Sequence, residues 1–214
     1  MPSIKSNISS IRATLPKGVT LVCVSKFHPA EAIQEAYDAG ERDFGESRVQ
    51  ELCAKQATLP ADIRWHFIGH LQTNKVRQIV PFVHLIQSVD SERLLDVIEA
   101  EAARINRVVN VLLEVHVAHE ETKSGFAVEE LEAIMPGLDG RKHVQVCGLM
   151  TMATNTDDEA EIHRCFRTLR DIAAAYGMSD KILSYGMSDD YEAAIADGSN
   201  MVRIGSKIFG ERAY

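Results

Sequence analysis

The 214-residue sequence has few cysteines, few aromatic residues and no long apolar run. Its four cysteines, Cys23, Cys53, Cys147 and Cys165, are scattered and form no C-x-x-C pair. We therefore expect free, reduced and mostly buried thiols, with no disulfide and no cysteine metal site. No charge-free apolar run approaches the roughly 20 residues that cross a bilayer, and the polar N-terminus lacks the apolar core of a signal peptide. These absences predict a cytoplasmic protein that does not enter a membrane.

Basic residues are also fewer than acidic residues. The chain has 23 Lys and Arg against 31 Asp and Glu, which gives a formal net charge of −8 at pH 7. Proteins that wrap a nucleic-acid backbone need clustered basic residues, so this balance argues against nucleic-acid binding and leaves a single small phosphorylated ligand open. The length suits one globular domain, and we predict that residues 1–214 form it.

Several cofactor and catalytic motifs are missing. The chain contains no G-x-G and no G-x-x-x-x-G-K-[ST], so neither the Rossmann fingerprint nor the P-loop is present. The histidine pairs His66/His70 and His116/His119 have no third ligand at a recognisable spacing, and H-E-x-x-H is absent, so we expect no metal site. A Ser/His/Asp hydrolase is equally unsupported, because there is no G-x-S-x-G elbow.

An alternation of β-branched apolar runs with amphipathic helical stretches begins at Val19 and continues along the chain. The eight predicted strands are Val19–Lys26, Arg42–Glu46, Ile63–His70, Phe82–Asp90, Val108–Ala118, His143–Ala153, Lys181–Ser188 and Asn200–Gly210. Eight β/α units predict an α/β protein with a closed (β/α)8 TIM-type barrel, preceded by an extra N-terminal helix near Ile4–Leu15. An open doubly wound sheet is the alternative, but it usually carries a Gly-rich turn where VCVSKFHP stands. The longest predicted loop is Ala118–Phe126.

Lys26 closes the first predicted strand, and the active sites of such barrels lie at the C-terminal ends of the strands. If Val22 and Val24 face the interior, the two-residue period of a strand aims Lys26 at the barrel mouth. A desolvated lysine has a lowered pKa, which suits Schiff-base chemistry. The alternative is a structural lysine that extends to water.

Two Gly/Ser clusters, Ser184–Ser188 and Arg203–Ser206, follow the last two strands. TIM barrels often bind phosphate there, together with the N-terminus of a short helix, although tight turns alone would also need these glycines. Arg203 occupies an inward strand position, where a charge needs a ligand or a carboxylate as partner; a salt bridge at the rim is the alternative. In a closed barrel Arg203 would also neighbour the first strand and could lower the pKa of Lys26.

Seven motifs in chain order carry a resemblance that covers Val24 to Arg212. They are VSKFHPAEAI, GERDFGESRVQEL, WHFIGHLQTNK, ETKSGF, GLMTMA, SYGMSDDYEAAIADGS and MVRIGSKIFGER. Together they resemble the pyridoxal phosphate homeostasis protein family, which shares the barrel of the alanine racemase N-terminal domain.

The resemblance implies a non-catalytic cytosolic protein that holds pyridoxal 5′-phosphate (PLP) as a Schiff base on Lys26. It also implies that Arg203 faces the pyridine nitrogen, where a cation disfavours ring protonation and weakens the ring as an electron sink. The phosphate cradle that it implies consists of Ser184, Ser188, Gly205 and Ser206.

Further residues are expected near the cofactor by the same resemblance: Ser47, His66, Asn74 and Met150. The sequence departs from the family pattern at two positions, where Tyr185 replaces a more usual Met and Ser47 replaces Asn. Both departures concern the wall of the predicted pocket and leave Lys26 and the Gly/Ser clusters intact.

The predicted function is storage or delivery of PLP, with PLP-dependent apo-enzymes as possible partners and a monomer as the expected state. The leading alternative is a PLP-dependent racemase. In related racemases a second base comes from a β-rich domain of the partner subunit, and this sequence stops at Tyr214, directly after the eighth strand. A class I aldolase-like enzyme, in which Lys26 attacks a sugar-phosphate carbonyl, is a further alternative.

Overall fold

The computed structural model describes residues 3–118 and 124–210. Its eight strands are β1 (Thr20–Val24), β2 (Asp43–Glu46), β3 (Arg64–Phe67), β4 (Leu85–Val89), β5 (Val109–Glu114), β6 (Val144–Met150), β7 (Ile182–Ser184) and β8 (Met201–Ile204). All neighbouring strands are parallel, and β8 pairs with β1 to close the barrel. The predicted TIM-type barrel is confirmed, and the open doubly wound sheet is excluded.

Helices separate the strands and cover the outside of the barrel. In the described residues they are α1 (Ile4–Thr14), α2 (Ala30–Asp38), α3 (Val49–Gln56), α4 (Val76–Ile79), α5 (Glu92–Arg104), α6 (Val128–Ile134), α7 (Glu159–Ala175), α8 (Tyr191–Ala196) and α9 (Ser206–Phe209), with 3₁₀ turns at Thr73–Lys75 and Met135–Gly140. The predicted extra N-terminal helix is confirmed as α1. Its Asn7 donates a side-chain hydrogen bond to the carbonyl of Ile208 at 2.9 Å, which ties α1 to α9.

Apolar side chains form two buried layers. The larger lies between the strands and the helices, and a smaller cluster fills the inside of the barrel. The inner cluster consists of Val22, Leu85, Leu112, Met150 and Met201. Neighbouring residues of β1, β5 and β8 therefore face opposite layers, as the two-residue period requires.

Several strands are shorter than predicted, because the residues at their ends turn the chain. β1 ends at Val24, so Lys26 lies in a turn two residues beyond the strand. β7 ends at Ser184, and Gly186 adopts a left-handed backbone with a φ of 95°. β8 ends at Ile204 because Gly205 is the N-cap of α9. Of the predicted loop Ala118–Phe126, residues 119–123 lie outside the described residues.

All four cysteines fall within the described residues and are free thiols, as expected. Cys23 and Cys165 are buried, whereas Cys53 and Cys147 are half-buried. Within residues 3–118 and 124–210, no helix combines the length and the apolar character needed to cross a bilayer.

Candidate functional site

The turns that follow β1 and β8 meet at the C-terminal end of the barrel. Gly205 packs so closely on β1 that a Cβ added to it would lie 3.1 Å from the carbonyl oxygen of Val24. The ring of His28 stacks on that of Phe209 in α9, with centroids 5.0 Å apart. Lys26 lies between these two contacts along the chain, so its turn and the predicted phosphate loop form one continuous wall.

Hydrogen bonds fix the backbone on both sides of Lys26, which is itself half-buried. Before it, the Ser25 amide donates to the carbonyl of Gly45 at 3.0 Å. After it, Phe27 has a left-handed φ of 67°, and its amide donates to Oε2 of Glu51 at 3.0 Å. A left-handed conformation is costly for a residue with a Cβ and persists where the surroundings enforce it.

A buried ion pair lies behind this turn. Lys55 Nζ donates to the carbonyl of Ser25 at 3.0 Å and to Oε1 of Glu46 at 2.7 Å. The Ser25 hydroxyl donates to the same carboxylate oxygen at 2.6 Å. Burial raises the pKa of Glu46, while Lys55 and Ser25 oppose the rise. The pair therefore holds Ser25 by both its side chain and its carbonyl.

The two Gly/Ser loops contact each other. The Gly205 amide donates to the Ser188 hydroxyl at 3.3 Å, and the Arg203 amide donates to the carbonyl of Gly186 at 2.9 Å. The helix α9 begins at Ser206, so the amides of Ser206 and Lys207 have no intrahelical acceptor. Ser188 is buried and Ser206 is exposed at this edge. Free amides beside hydroxyls and glycine form an arrangement that suits an anion.

Arg203 is a buried cation at the inner side of these loops, with only 4% of its surface exposed. Its guanidinium donates to the carbonyl and the hydroxyl of Ser184 at 2.9 and 2.7 Å, and to the carbonyl of Thr151 at 2.9 Å. Burial lowers the pKa of Arg203 to about 10, against the opposing effects of Glu114 and Asp190. It therefore stays protonated at neutral pH. In the part of the chain that the structure describes, these neutral oxygens stand where a carboxylate partner was expected, and Arg203 forms no rim salt bridge. The expected contact with a ligand stays a prediction.

A chain of hydrogen bonds leads from Arg203 through the barrel interior. Because the Ser184 hydroxyl accepts from Arg203, its hydrogen points to Oε1 of Gln87, 2.7 Å away. The Gln87 amide then donates to His66 Nδ1 at 2.9 Å. His66 Nε2 carries the remaining hydrogen to Oδ1 of Asp43 at 3.0 Å. Both ring nitrogens of His66 are thus engaged inside the barrel, and His66 reaches Arg203 only through Gln87 and Ser184.

The remaining predicted residues lie at different depths. Met150 is buried at the end of β6, beside Ser184 of β7 and Glu114 of β5. Ser47 is half-buried after β2 and lines a cleft of about 200 Å³. Asn74 is exposed in the 3₁₀ turn Thr73–Lys75. The structure brings together the residues from the ends of β1, β6, β7 and β8, whereas Ser47 and Asn74 lie toward β2 and β3.

Tyr185 does not line the barrel interior. Since Ser184 faces inward, the next residue of the chain faces the helix layer. The Tyr185 ring stacks on Phe166 of α7 with centroids 4.9 Å apart, and its hydroxyl donates to the carbonyl of Asp197 at 2.9 Å. The departure from the family pattern at this position therefore alters the packing behind the loop.

Sequence reasoning missed several residues that organise the site. Gln87 had a usable signal, because it is a polar residue in the apolar stretch FVHLIQSVD and shares the inward period of Leu85. Thr151 follows an apolar strand in the same way. For Glu51 and Lys55 the sequence contains no usable signal, since their spacing on a helix is that of an ordinary solvent-exposed pair.

Comparisons with known proteins define the class of this barrel. The family described as "Alanine racemase, N-terminal domain" matches residues 1–213. Alanine racemase from E. faecalis shares the fold with a TM-score of 0.78 at 17% identity, and the match covers 97% of this chain and 57% of the racemase chain. At that identity the likeness concerns the fold alone. The protein is thus a barrel of the alanine racemase N-terminal domain class.

Relatives at higher identity define the family more narrowly. The pyridoxal phosphate homeostasis protein of Synechocystis sp. is 40% identical over 210 residues, covering 95% of this chain and 96% of the relative. PipY of Synechococcus elongatus is 39% identical, covers 97% of this chain and 100% of its own, and superimposes with a TM-score of 0.92 without PLP and 0.90 with PLP bound. The chain belongs to the pyridoxal phosphate homeostasis protein family.

Proposed function

We propose that this protein binds PLP at the mouth of the barrel, holds it as a Schiff base on Lys26, and serves as a carrier or buffer of the cofactor in the cytoplasm. The observation that carries the proposal is the contact of Gly205 with Val24, which brings the lysine turn against the anion-binding loops. A cofactor with a phosphate at one end and an aldehyde at the other suits a lysine that lies next to loops with free anion-binding donors. The PLP-bound structure of PipY supports the same ligand.

The phosphate end of the cofactor is assigned to the loops after β7 and β8. The amides of Ser206 and Lys207 and the hydroxyls of Ser188 and Ser206 supply donors there. The Ser184 hydroxyl already accepts from Arg203 and donates to Gln87. Its predicted contact with the phosphate would therefore have to compete with those two bonds.

The ring end is assigned to Arg203. When bound, PLP supplies an aldehyde that condenses with a lysine amine, with loss of one water, and a pyridine ring that withdraws electrons. Arg203 is a buried donor that stays cationic at neutral pH, so it would disfavour a second positive charge on a ring nitrogen held beside it. Met150, which pairs with Ser184 and belongs to the inner apolar cluster, is assigned to the wall of the pocket.

Storage without turnover agrees with the names of the relatives and with the cation at the ring position. A weakened electron sink suits a carrier better than an enzyme that must stabilise a carbanion. PLP-dependent apo-enzymes are the proposed recipients of the cofactor, and we expect the carrier to act as a monomer. Racemase turnover is the alternative outcome that the test must exclude.

The test is the absorption spectrum of the protein with added PLP. We expect a Schiff-base band that borohydride removes, and a reduced phosphopyridoxyl group on the peptide that contains Lys26. Lys26→Ala should lack the band, whereas Lys17→Ala, which changes an exposed lysine before β1, should keep it. A wild-type protein that stays colourless with PLP would refute the proposal, and appreciable amino-acid racemisation would favour the enzyme.

A further inference from the structure

We propose that helix α3 fixes the reactive lysine in place, with Glu51 and Lys55 as positioning residues for Lys26. The proposal rests on the proposed Schiff base, and it concerns how the chain prepares the lysine to form it. Neither residue is assigned a contact with the cofactor. Both act through the backbone of the turn that carries Lys26.

The two residues hold the peptide groups on either side of Lys26. Lys55 donates to the carbonyl of Ser25, the residue before Lys26, at 3.0 Å. Glu51 accepts from the amide of Phe27, the residue after it, at 3.0 Å. Both bonds involve a full charge, which makes them stronger than ordinary backbone hydrogen bonds. Because Glu51 and Lys55 are one helical turn apart, a single helix binds the peptide groups on both sides of Lys26.

The conformation of Phe27 indicates that these hydrogen bonds from α3 stabilise a strained backbone. Phe27 has a φ of 67°, in the left-handed region that residues with a Cβ avoid. Its ring lies under the guanidinium of Arg48, the N-cap of α3, with 4.5 Å between the guanidinium carbon and the ring centroid. The same helix thus binds both the amide and the ring of a strained residue. Without these contacts the turn would relax, and the direction of the Lys26 side chain would change with it.

We expect the hydrogen bonds from α3 to act by lowering the conformational entropy of Lys26. A lysine on a fixed turn samples fewer orientations, so its amine meets the aldehyde of a cradled cofactor more often in a productive geometry. Lys55 is itself anchored to the buried Glu46 at 2.7 Å, so the turn is joined to the barrel wall. Removing Lys55 would leave the Glu46 charge buried without its partner, which makes Glu51 the better residue to test.

Glu51 can be replaced with little damage to the core. Its side chain is 26% exposed, and α3 is anchored by the buried side chains of Val49 and Leu52. The test compares Glu51→Ala with Glu51→Gln, which keeps an oxygen for the Phe27 amide. Glu92→Ala is the matched control, because Glu92 stands in the first turn of α5, as Glu51 does in α3.

Two ligands separate positioning from general damage to the pocket. With PLP, we expect Glu51→Ala to form the Schiff base about tenfold more slowly, because the variant loses the bond from the Phe27 amide and the 3.4 Å contact of Lys55 Nζ with the same oxygen. With 4-deoxypyridoxine 5′-phosphate, which keeps the ring and phosphate but has no aldehyde, the affinity of Glu51→Ala should equal that of the wild type. Glu51→Gln should recover most of the rate, and Glu92→Ala should match the wild type with both ligands.

The outcomes that overturn the proposal are distinct. Unchanged Schiff-base formation in Glu51→Ala would overturn it, as would an equal loss of affinity for both ligands, which indicates a general structural role. If Glu51→Gln were as slow as Glu51→Ala, the bond to the Phe27 amide would not be the cause. If the wild type bound PLP without any Schiff base, the proposed function itself would fail, and the positioning role with it.

Discussion

Gly205 is the residue at which the two halves of the site touch. It is the N-cap of α9, its amide donates to Ser188, and its Cα faces the end of β1. Its φ of −120° is open to any residue, so glycine is required by the closeness of Val24 rather than by the backbone conformation. A larger residue would have to push β1, which precedes Lys26, and the loop after β8 apart.

We therefore expect Gly205→Ala to weaken PLP binding. The added methyl would lie 3.1 Å from the carbonyl oxygen and 3.3 Å from the Cβ of Val24, and overpacking of this kind costs about 1–3 kcal/mol. The measurements are the PLP titration and the thermal midpoint. Gly140→Ala is the control, because a Cβ there meets nothing within 4 Å. A Gly205→Ala protein that binds PLP like the wild type would contradict the assigned close approach.

At the scale of elements, β6 contains an irregularity that lets β7 approach. The pairing of β5 with β6 shifts register after Val111, so Leu112 pairs with Gly148 and Cys147 is left over as a bulge. Gly148 has a φ of 153°, and a Cβ on it would overlap the carbonyl oxygen of Ile182 in β7. The bulge thus determines the position of Met150, which lies after it in β6.

Gly148→Ala should destabilise the protein by about 3 kcal/mol or more, because the methyl group meets main-chain atoms that cannot move aside. The free energy of unfolding in urea measures this. Gly137→Ala is a suitable control, since its Cβ would meet only a guanidinium nitrogen of Arg141 at 3.9 Å. An unchanged unfolding midpoint in Gly148→Ala would show that Gly148 is not in close contact with the backbone of Ile182.

The order of the elements could be predicted from the sequence, and their ends could not. Apolar period and turn residues were enough for all eight strands, but Tyr185 and Ile208 are as apolar as strand residues and lie beyond the ends of β7 and β8. The site was predictable where a polar residue interrupts an apolar strand, as Arg203 does. It was not predictable where the partner is distant in sequence, since nothing local indicates that Glu51 faces the Phe27 amide.

At the scale of the whole molecule, the hydrogen-bond chain crosses the barrel interior from β8 to β2. It begins at the cation Arg203 and ends at the carboxylate of Asp43, the first residue of β2. Every bond between them donates in the same direction, from the cation to the anion, so each polarises the next. Arg64 donates two further hydrogen bonds to Asp43.

This arrangement predicts how stability depends on pH. Burial favours the neutral form of Asp43, but the bonds from Arg64 and His66 outweigh it and hold its pKa well below the usual value. A carboxyl whose pKa is lower in the folded state stabilises the fold above its unfolded pKa of about 4 and loses that contribution as the pH falls. We therefore expect the stability from this group to be complete at neutral pH and to decline in acid.

Asp43→Asn should lower the free energy of unfolding at pH 7 by about 1.5–3 kcal/mol, the effect of losing hydrogen bonds to a charged group. It should also flatten the decline of stability below about pH 4. Urea unfolding across the acid range measures both effects. Asp180→Asn, at a side chain that is 78% exposed, should follow the wild-type curve. An Asp43→Asn curve parallel to that of the wild type would contradict the prediction.

The turn of Lys26 and the loop after β8 lie nearly 180 residues apart in the chain and meet where β8 pairs with β1. During synthesis on the ribosome, Lys26 emerges early and does not have the loop after β8 beside it until the last strand follows. If the protein binds PLP as proposed, it does so only after its final β/α unit has docked. Once captured, a ligand held by both turns binds the earliest strand to the latest and makes the closing seam harder to open.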